Sequence, residues 1–155
     1  MANTFVQINI HIVYAVKGRQ SILSKTNRAE LYKYSAGIIK KKGQKVLAIN
    51  GSADHIHLFI SMTPDIAVSD LVRDVKRFST SLVNQKKWAS GKFYWQEGFG
   101  AFSYSNSQIP SVIKYIENQE DHHTVHTFRE EYVKLLKNFN IKYDEKYLFD
   151  WLEEI

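Results

Sequence analysis

The chain has 155 residues, of which 44% are hydrophobic and 24% are charged, an ordinary balance for one globular domain with a single core. It contains no cysteine, so disulfide bonds and cysteine-ligated zinc are excluded. The 21 Lys and Arg residues against 16 acidic residues give a formal charge of +5 at pH 7, which is compatible with a polyanionic partner and is also common among proteins that bind no nucleic acid.

The N-terminal segment alternates between hydrophobic and polar residues, which predicts a half-buried strand over residues 5–17. Asn9 and His11 fall on its polar face. The alternation and the absence of a preceding basic patch argue against a signal peptide, and no stretch is long and apolar enough to span a membrane. We therefore expect a cytoplasmic protein with no membrane partner.

A helix and two strands follow along the chain. The apolar spacing predicts a helix over residues 28–42, capped by Ser24 or Thr26 and ended by a glycine. Two short strands are predicted over residues 45–50 and 55–62, with turn-forming residues between them.

A long helix is predicted over residues 66–87. Its polar side carries Arg73, Lys76 and Arg77, which are candidate contacts for DNA phosphates; a solvated charged face is the alternative. The aromatic segment 92–105 predicts a fourth strand interrupted by a glycine-containing loop. Its rings could stack on bases, although core and dimer packing is the commoner use of rings at strand spacing.

Two further helices complete the chain. The first is predicted to reach residue 119 or 120 from about residue 108, where Ser107 and Pro110 favour a helix start. The second begins near residue 124 and precedes an acidic, aromatic tail that runs to residue 155. With no repeat or linker to divide it, the chain is predicted to form one domain over residues 1–155.

The order strand, helix, strand, strand, helix, strand predicts an α+β, ferredoxin-like split βαβ fold with an antiparallel sheet. Two helices would cover one sheet face. The extra C-terminal helices would then cover the other face.

The sharpest local feature is the pair His55 and His57 on the third predicted strand. Residues two apart on a strand point to the same side, so the two imidazoles project together and can hold one divalent ion. The alternative is a pair of histidines on a solvated strand face. Asn9 and His11 lie on the strand predicted to be adjacent, and they are candidates for the floor of the same site. Asp54 points the other way if the strand includes it, which favours a supporting role over direct ligation.

A second feature is the pair Tyr115 and Gln119 on the following helix. Positions four apart share a helix face. A glutamine amide oxygen can bind Mg²⁺ or Mn²⁺, and a tyrosine hydroxyl beside it can act as a nucleophile. Taken singly, each residue is more often a packing or surface residue.

The two features together resemble the single-tyrosine, His-hydrophobic-His (HUH) transposases of the IS200/IS605 type, including their repeat-associated tyrosine transposases. The resemblance covers nearly the whole chain and rests on residues 54–58, 93–103 and 115–119. The histidine pair precedes the tyrosine helix as in these transposases, whereas relaxases place their tyrosine ahead of the histidines.

The resemblance implies an enzyme that cuts and rejoins single-stranded DNA through a covalent 5′-phosphotyrosine. It implies that Tyr115 is the nucleophile and that His55, His57 and Gln119 are the metal ligands. Such a ligand set leaves open positions for water and phosphate, which favours Mg²⁺ or Mn²⁺ over structural zinc. The expected partners are hairpin-containing single-stranded DNA and a second copy of the chain.

Two alternatives stay open at this stage. One is a domesticated relative that nicks repeat hairpins without moving an element. The other is a non-catalytic nucleic-acid-binding module on a ferredoxin-like sheet, which would read bases with exposed aromatic rings. A two-histidine phosphoesterase is set aside because neither His55 nor His123 is followed two residues later by a hydroxyl residue.

Overall fold

The fold is described from a computed structural model, which covers residues 3–17, 23–119, 127–144 and 148. The start predicted for the last helix and most of the acidic tail lie outside the described residues. None of the helices in these ranges is both long enough and apolar enough to cross a membrane.

Four antiparallel strands form one sheet in the order β2-β3-β1-β4. The strands are, in chain order, β1 (Asn9–Ala15), β2 (Lys45–Gly51), β3 (His55–Ser61) and β4 (Gly100–Tyr104). The α+β prediction with a split βαβ arrangement is confirmed. The fourth strand is shorter than predicted: only Gly100–Tyr104 pair with β1, and Trp95 makes a single bridge to Val16.

The helices are α1 (Lys25–Lys41), α2 (Val68–Lys86), α3 (Ile109–Glu117) and α4 (Phe128–Asn138), with a short 3₁₀ turn over Asn106–Gln108. Of the two predicted caps of α1, Ser24 is the one used, because its hydroxyl accepts from the amide of Asn27. α1 and α2 contact each other, and their buried residues join the main core with the hydrophobic side of the sheet. Ile56, Leu58 and Ile60 belong to this core, as their strand positions predict.

The opposite sheet face is covered by α3 and α4, as predicted for the C-terminal helices. Val112 and Ile116 of α3 pack on Ala48 and Phe59 of the sheet, and α4 contributes Phe128 and other apolar residues to the main core. The prediction of a half-buried first strand was therefore wrong: β1 is buried on both faces from His11 to Ala15. The polar residues of that face consequently form an enclosed cluster.

Candidate active site

The histidine pair of β3 lies at the centre of the candidate site. His55 and His57 are both fully buried, and their ring centroids lie 5.1 Å apart. The antiparallel register with β1 places Ala15 opposite His55 and Val13 opposite His57. Phe128 of α4 stacks on the ring of His55 with a centroid distance of 3.9 Å. A rigid strand and a packed ring therefore fix the direction of the first imidazole.

A tight turn before β3 orients His55. Oδ1 of Asp54 lies 2.8 Å from His55 Nδ1 and also accepts from the hydroxyl of Ser52 at 2.8 Å. A carboxylate at this position favours the tautomer with a proton on Nδ1, which leaves the lone pair on Nε2. Asp54 therefore has the supporting position that its place in the sequence suggested.

His11 supports His57 in a similar way. His11 Nε2 lies 2.7 Å from His57 Nδ1, and the two rings stack with their centroids 5.0 Å apart. Burial, followed by the nearby His57, lowers the pKa of His11 well below its usual value, so this imidazole is neutral and can accept a hydrogen bond. His11 thus lies beside His57 in the buried cluster, and its role in the floor of the site stays a prediction. Asn9 is placed differently, because its amide donates to the carbonyl of Tyr104 at 3.4 Å.

Hydrogen bonds join α3, the helix that carries Tyr115, to the edge strand β2 of the sheet. The side-chain amide of Asn50 donates to the carbonyls of Ile116 at 2.9 Å and Glu117 at 3.1 Å, which caps the end of α3. The ring of Tyr115 consequently packs edge-on against His57 at a centroid distance of 5.9 Å. The helix that was predicted to reach residue 119 or 120 ends at Glu117, so Gln119 lies just beyond it. Gln119 is fully buried, with Oε1 lying 3.4 Å from His55 Nε2. The four predicted site residues thus come together within a single chain.

Glu131 of α4 is a site residue that the sequence interpretation missed. Its Oε1 accepts from the hydroxyl of Tyr115 at 2.5 Å and lies 2.8 Å from His57 Nε2. The residue is only 4% exposed. A usable signal was present, since Glu131 falls between Phe128 and Leu135 on the apolar stripe of an amphipathic helix, where an acidic residue is uncommon.

The surroundings strongly favour the protonated form of the nucleophile candidate. Burial raises the pKa of Tyr115 far above its usual value, and the negative charge of Glu131 and the hydrogen bond to it raise it further. A hydrogen bond from Gln119 acts in the opposite direction. For the Tyr115 oxygen to act as a nucleophile, the hydroxyl proton needs an acceptor, or a positive charge must lie near the phosphate that is attacked.

The arrangement fits a divalent metal ion. Ligand atoms of His55, His57 and Glu131 all lie within 4.8 Å of one another, and all three residues are buried. Nδ1 of His55 contacts Asp54, and Nδ1 of His57 contacts His11. The Nε2 atoms therefore face side-chain oxygens, that of Gln119 for His55 and that of Glu131 for His57. Two imidazoles with oxygen donors suit a catalytic divalent ion. The residues present could therefore hold such an ion, and Glu131 joins Gln119 as a candidate oxygen ligand.

The three predicted DNA-contacting residues have unequal environments. Arg73 forms ion pairs with Asp70 and Asp74, and Arg77 extends over the ring of Phe78. The ammonium of Lys76 donates instead to two backbone carbonyls of its own chain. A role in DNA binding stays a prediction for all three, and it is weakest for Lys76, whose charge is directed into the protein.

Comparison with known proteins identifies the family. Residues 4–119 match the family described as "Transposase IS200 like", and the chain belongs to this family. It is 27% identical to the ISDra2 transposase TnpA of Deinococcus radiodurans over 122 residues, which are 74% of this chain and 86% of that protein.

Two solved structures share the fold. One is a protein from Deinococcus radiodurans R1 assigned as a transposase, with a TM-score of 0.59, 22% identity, and coverage of 77% of this chain and 95% of that one. The other is a REP-associated tyrosine transposase bound to a REP hairpin, with a TM-score of 0.62, 16% identity, and coverage of 100% and 97%. At these identities the likeness concerns the fold alone.

Proposed function

We propose that the protein is a metal-dependent transposase that cuts and rejoins single-stranded DNA through a covalent bond to Tyr115. The observation that carries the proposal is the convergence of a buried tyrosine hydroxyl, two imidazole Nε2 atoms and a carboxylate in one enclosed cluster. Burying three histidines and a glutamate together is costly unless the cluster has a use, because each group must give up water.

In the proposed reaction, the Tyr115 oxygen attacks the phosphorus of one phosphodiester. The bond from phosphorus to the 3′-oxygen of the preceding nucleotide breaks, which leaves a 5′-phosphotyrosine and, after protonation by solvent, a free 3′-hydroxyl. The tyrosine proton leaves along its hydrogen bond to Glu131 Oε1. A second 3′-hydroxyl can reverse these steps and reseal the strand, so rejoining needs no external energy source.

His55 and His57, through Nε2, with oxygens of Gln119 and Glu131, would hold Mg²⁺ or Mn²⁺. The ion would polarise the phosphate and stabilise the negative charge that develops on its oxygens. Asp54 and His11 would keep the two imidazoles in the ligating tautomer. Asn50 would keep the tyrosine helix against the sheet.

The proposed partner is single-stranded DNA that contains a hairpin. The structural likeness to a transposase solved with a REP hairpin spans the whole chain and supports this choice, and it equally supports a relative that nicks repeat hairpins without moving an element. The binding-module alternative is disfavoured because His11, His55 and His57 are buried and offer bases no open stacking surface. A homodimer stays a prediction. The position of Tyr115 beside His57 of the same chain supports an active site formed within one copy.

The test is covalent capture of DNA. The protein is incubated with Mn²⁺ and labelled single-stranded hairpin oligonucleotides that include the DNA flanking its gene, and the products are separated on a denaturing gel. We expect an SDS-resistant adduct that disappears with EDTA and in Tyr115→Phe. Tyr94→Phe, which changes an exposed tyrosine, is the matched control and should keep the adduct. An adduct that persists in Tyr115→Phe would exclude this tyrosine as the nucleophile.

A further inference from the structure

A cleft of about 400 Å³ lies between α3 and α4, and Tyr115 is one of the residues that line it. Glu131 also lines the cleft, so the cleft adjoins the metal-binding group. Its volume is near the lower limit of small-molecule pockets, which suits one nucleotide and is too small for a hairpin stem. The active-site chemistry described above does not use this space.

The inner walls of the cleft are apolar and fixed. Val112 and Leu135 are buried, and the ring of Tyr104 is held edge-on by Phe59 and Phe139 at centroid distances of 6.0 and 5.3 Å. Burial raises the pKa of Tyr104, so this ring carries no charge at neutral pH. A rigid surface of aromatic and aliphatic side chains can bind a nucleobase that is not stacked on its neighbours in the strand.

The rim of the cleft is polar and carries a cation. The carboxamide of Gln108 is held by a capping box in which its Oε1 accepts from the backbone amide of Ser105 at 2.9 Å. Asn138 of α4 also lines the cleft and supplies a second carboxamide. Lys134 is exposed and lies three residues after Glu131 on the same helix. Two amides can meet the edge of a base, and the ammonium can offset the charge of Glu131 and meet a phosphate.

We propose that this cleft is the binding site for one unpaired nucleotide that adjoins the phosphate attacked by Tyr115. Its base lies against Tyr104 between the apolar walls, its edge meets Gln108 or Asn138, and the next phosphate lies near Lys134. The proposal rests on the proposed function for the identity of the attacked phosphate. It adds a base-binding site, and hence a source of sequence preference that belongs to the protein itself.

Ser111 provides a way to fill the cleft without touching the core, because it is an exposed residue of α3 that lines the opening. Ser111→Trp is compared with Ser81→Trp, which makes the same change at an exposed position of α2. The probes are fluorescein-labelled dT12, dA12 and dC12 and a 12-unit abasic strand. Binding is measured by anisotropy in EDTA, so that no strand is cut.

We expect the wild-type protein and Ser81→Trp to bind at least one homopolymer about fivefold or more tightly than the abasic strand. Ser111→Trp should lose this preference and bind the abasic strand as the wild-type protein does, which also shows that the variant is folded. Lys134→Gln should weaken binding of all strands and lower the slope of log K against log salt by about 0.7.

Two results would overturn the proposal: a wild-type protein that does not distinguish bases from abasic sites, or a Ser111→Trp variant that retains the preference. Because these measurements involve no cleavage, they are independent of covalent capture. Base preference at the cleft without any adduct would leave the nucleotide site standing and would reject the proposed function. A covalent adduct without a cleft-dependent base preference would support the proposed function and reject the nucleotide site.

Discussion

The hydroxyl of Tyr115 donates to the same carboxylate oxygen of Glu131 that faces His57 Nε2, at 2.5 Å on one side and 2.8 Å on the other. One oxygen thus links the nucleophile candidate on α3 to the imidazole pair on β3. A residue of the fourth helix, which lies outside the residues matched to the family, joins the two halves of the site.

This link predicts that Glu131→Gln weakens metal binding and adduct formation together. The substitution keeps the size of the side chain but removes the charge that a divalent ion would meet, so we expect Mn²⁺ affinity to fall at least about tenfold. Calorimetric titration of Mn²⁺ measures the affinity, and the denaturing gel measures the adduct. Glu130→Gln neutralises the adjacent exposed carboxylate and should change neither. Unchanged Mn²⁺ affinity with a weakened adduct would exclude Glu131 as a metal ligand and leave it the role of positioning Tyr115 and accepting its proton.

Much of the site was predictable because strand and helix periods are local. The period of two placed His55 and His57 on one side of β3, and the antiparallel pairing of β1 with β3 then brought His11 to His57. Tyr115 and Gln119 were predicted to share one helix face, and both side chains reach the cluster, although α3 ends at Glu117 and Gln119 lies just beyond it. Each of these inferences needs only the geometry of one element or of two adjacent ones.

The parts that were missed depend on packing between distant elements. Glu131 reaches the histidines because α4 lies across the sheet face, as predicted for the C-terminal helices, but no pattern within residues 128–138 specifies which side chain of α4 meets which residue of the sheet. The same packing buries the polar side of β1, which the alternating sequence predicted to be exposed. The aromatic residues before Gly100 were predicted to be in a strand, but apart from the bridge at Trp95 they lie in a loop. The indole nitrogen of Trp95 donates to the Ser79 hydroxyl of α2 at 2.9 Å.

His11 is expected to act through His57. When Nε2 of His57 binds a metal, its Nδ1–H must donate, and His11 Nε2 is the acceptor at 2.7 Å. His11→Phe removes that acceptor, so we expect Mn²⁺ affinity to fall by about 10–100-fold. His11→Gln, which restores a polar partner, should recover part of the loss. Asn9→Ala is the control, because the Asn9 amide faces Tyr104 and metal affinity should not change. Equal affinities in the wild-type protein and His11→Phe would make His11 a packing residue only.

Gly51 is required by the turn that carries Asp54 and His55. A Cβ at Gly51 would lie 2.2 Å from the carbonyl oxygen of His55 and 2.9 Å from Cα of Ile56, and backbone atoms cannot rotate aside. We expect Gly51→Ala to lower the free energy of unfolding by about 1–3 kcal/mol and to weaken Mn²⁺ binding as the turn opens. Urea unfolding and calorimetry measure the two effects.

Gly37→Ala provides the matched comparison for this substitution. A Cβ at Gly37, inside α1, would meet nothing within 4 Å. Replacing a glycine inside a helix should raise the free energy of unfolding by about 0.5–1 kcal/mol. If Gly51→Ala were as stable as Gly37→Ala, the close approach of β2 to β3 would not constrain the turn.

Lys76 should make stability depend on pH in the alkaline range. Its ammonium donates to the carbonyls of Gln96 at 2.7 Å and Gly98 at 2.6 Å, below the ring of Tyr14. Burial lowers the pKa of this amine from 10.5 to about 8. Between these two values the unfolded chain binds more protons than the folded one, so this group makes stability increase as the pH rises from about 8 toward 10.5.

The stability difference between the wild-type protein and Lys76→Met isolates this contribution. We expect the difference to shift in favour of the wild-type protein when urea unfolding is repeated at about pH 7.5 and about pH 9.5. Lys33→Met, at an exposed position of α1, corrects for the general loss of one positive charge. A difference that does not change with pH would mean that the two carbonyl acceptors and the Tyr14 ring fully offset burial. Lys76 would then hold the loop at Gln96 and Gly98 as a permanent cation.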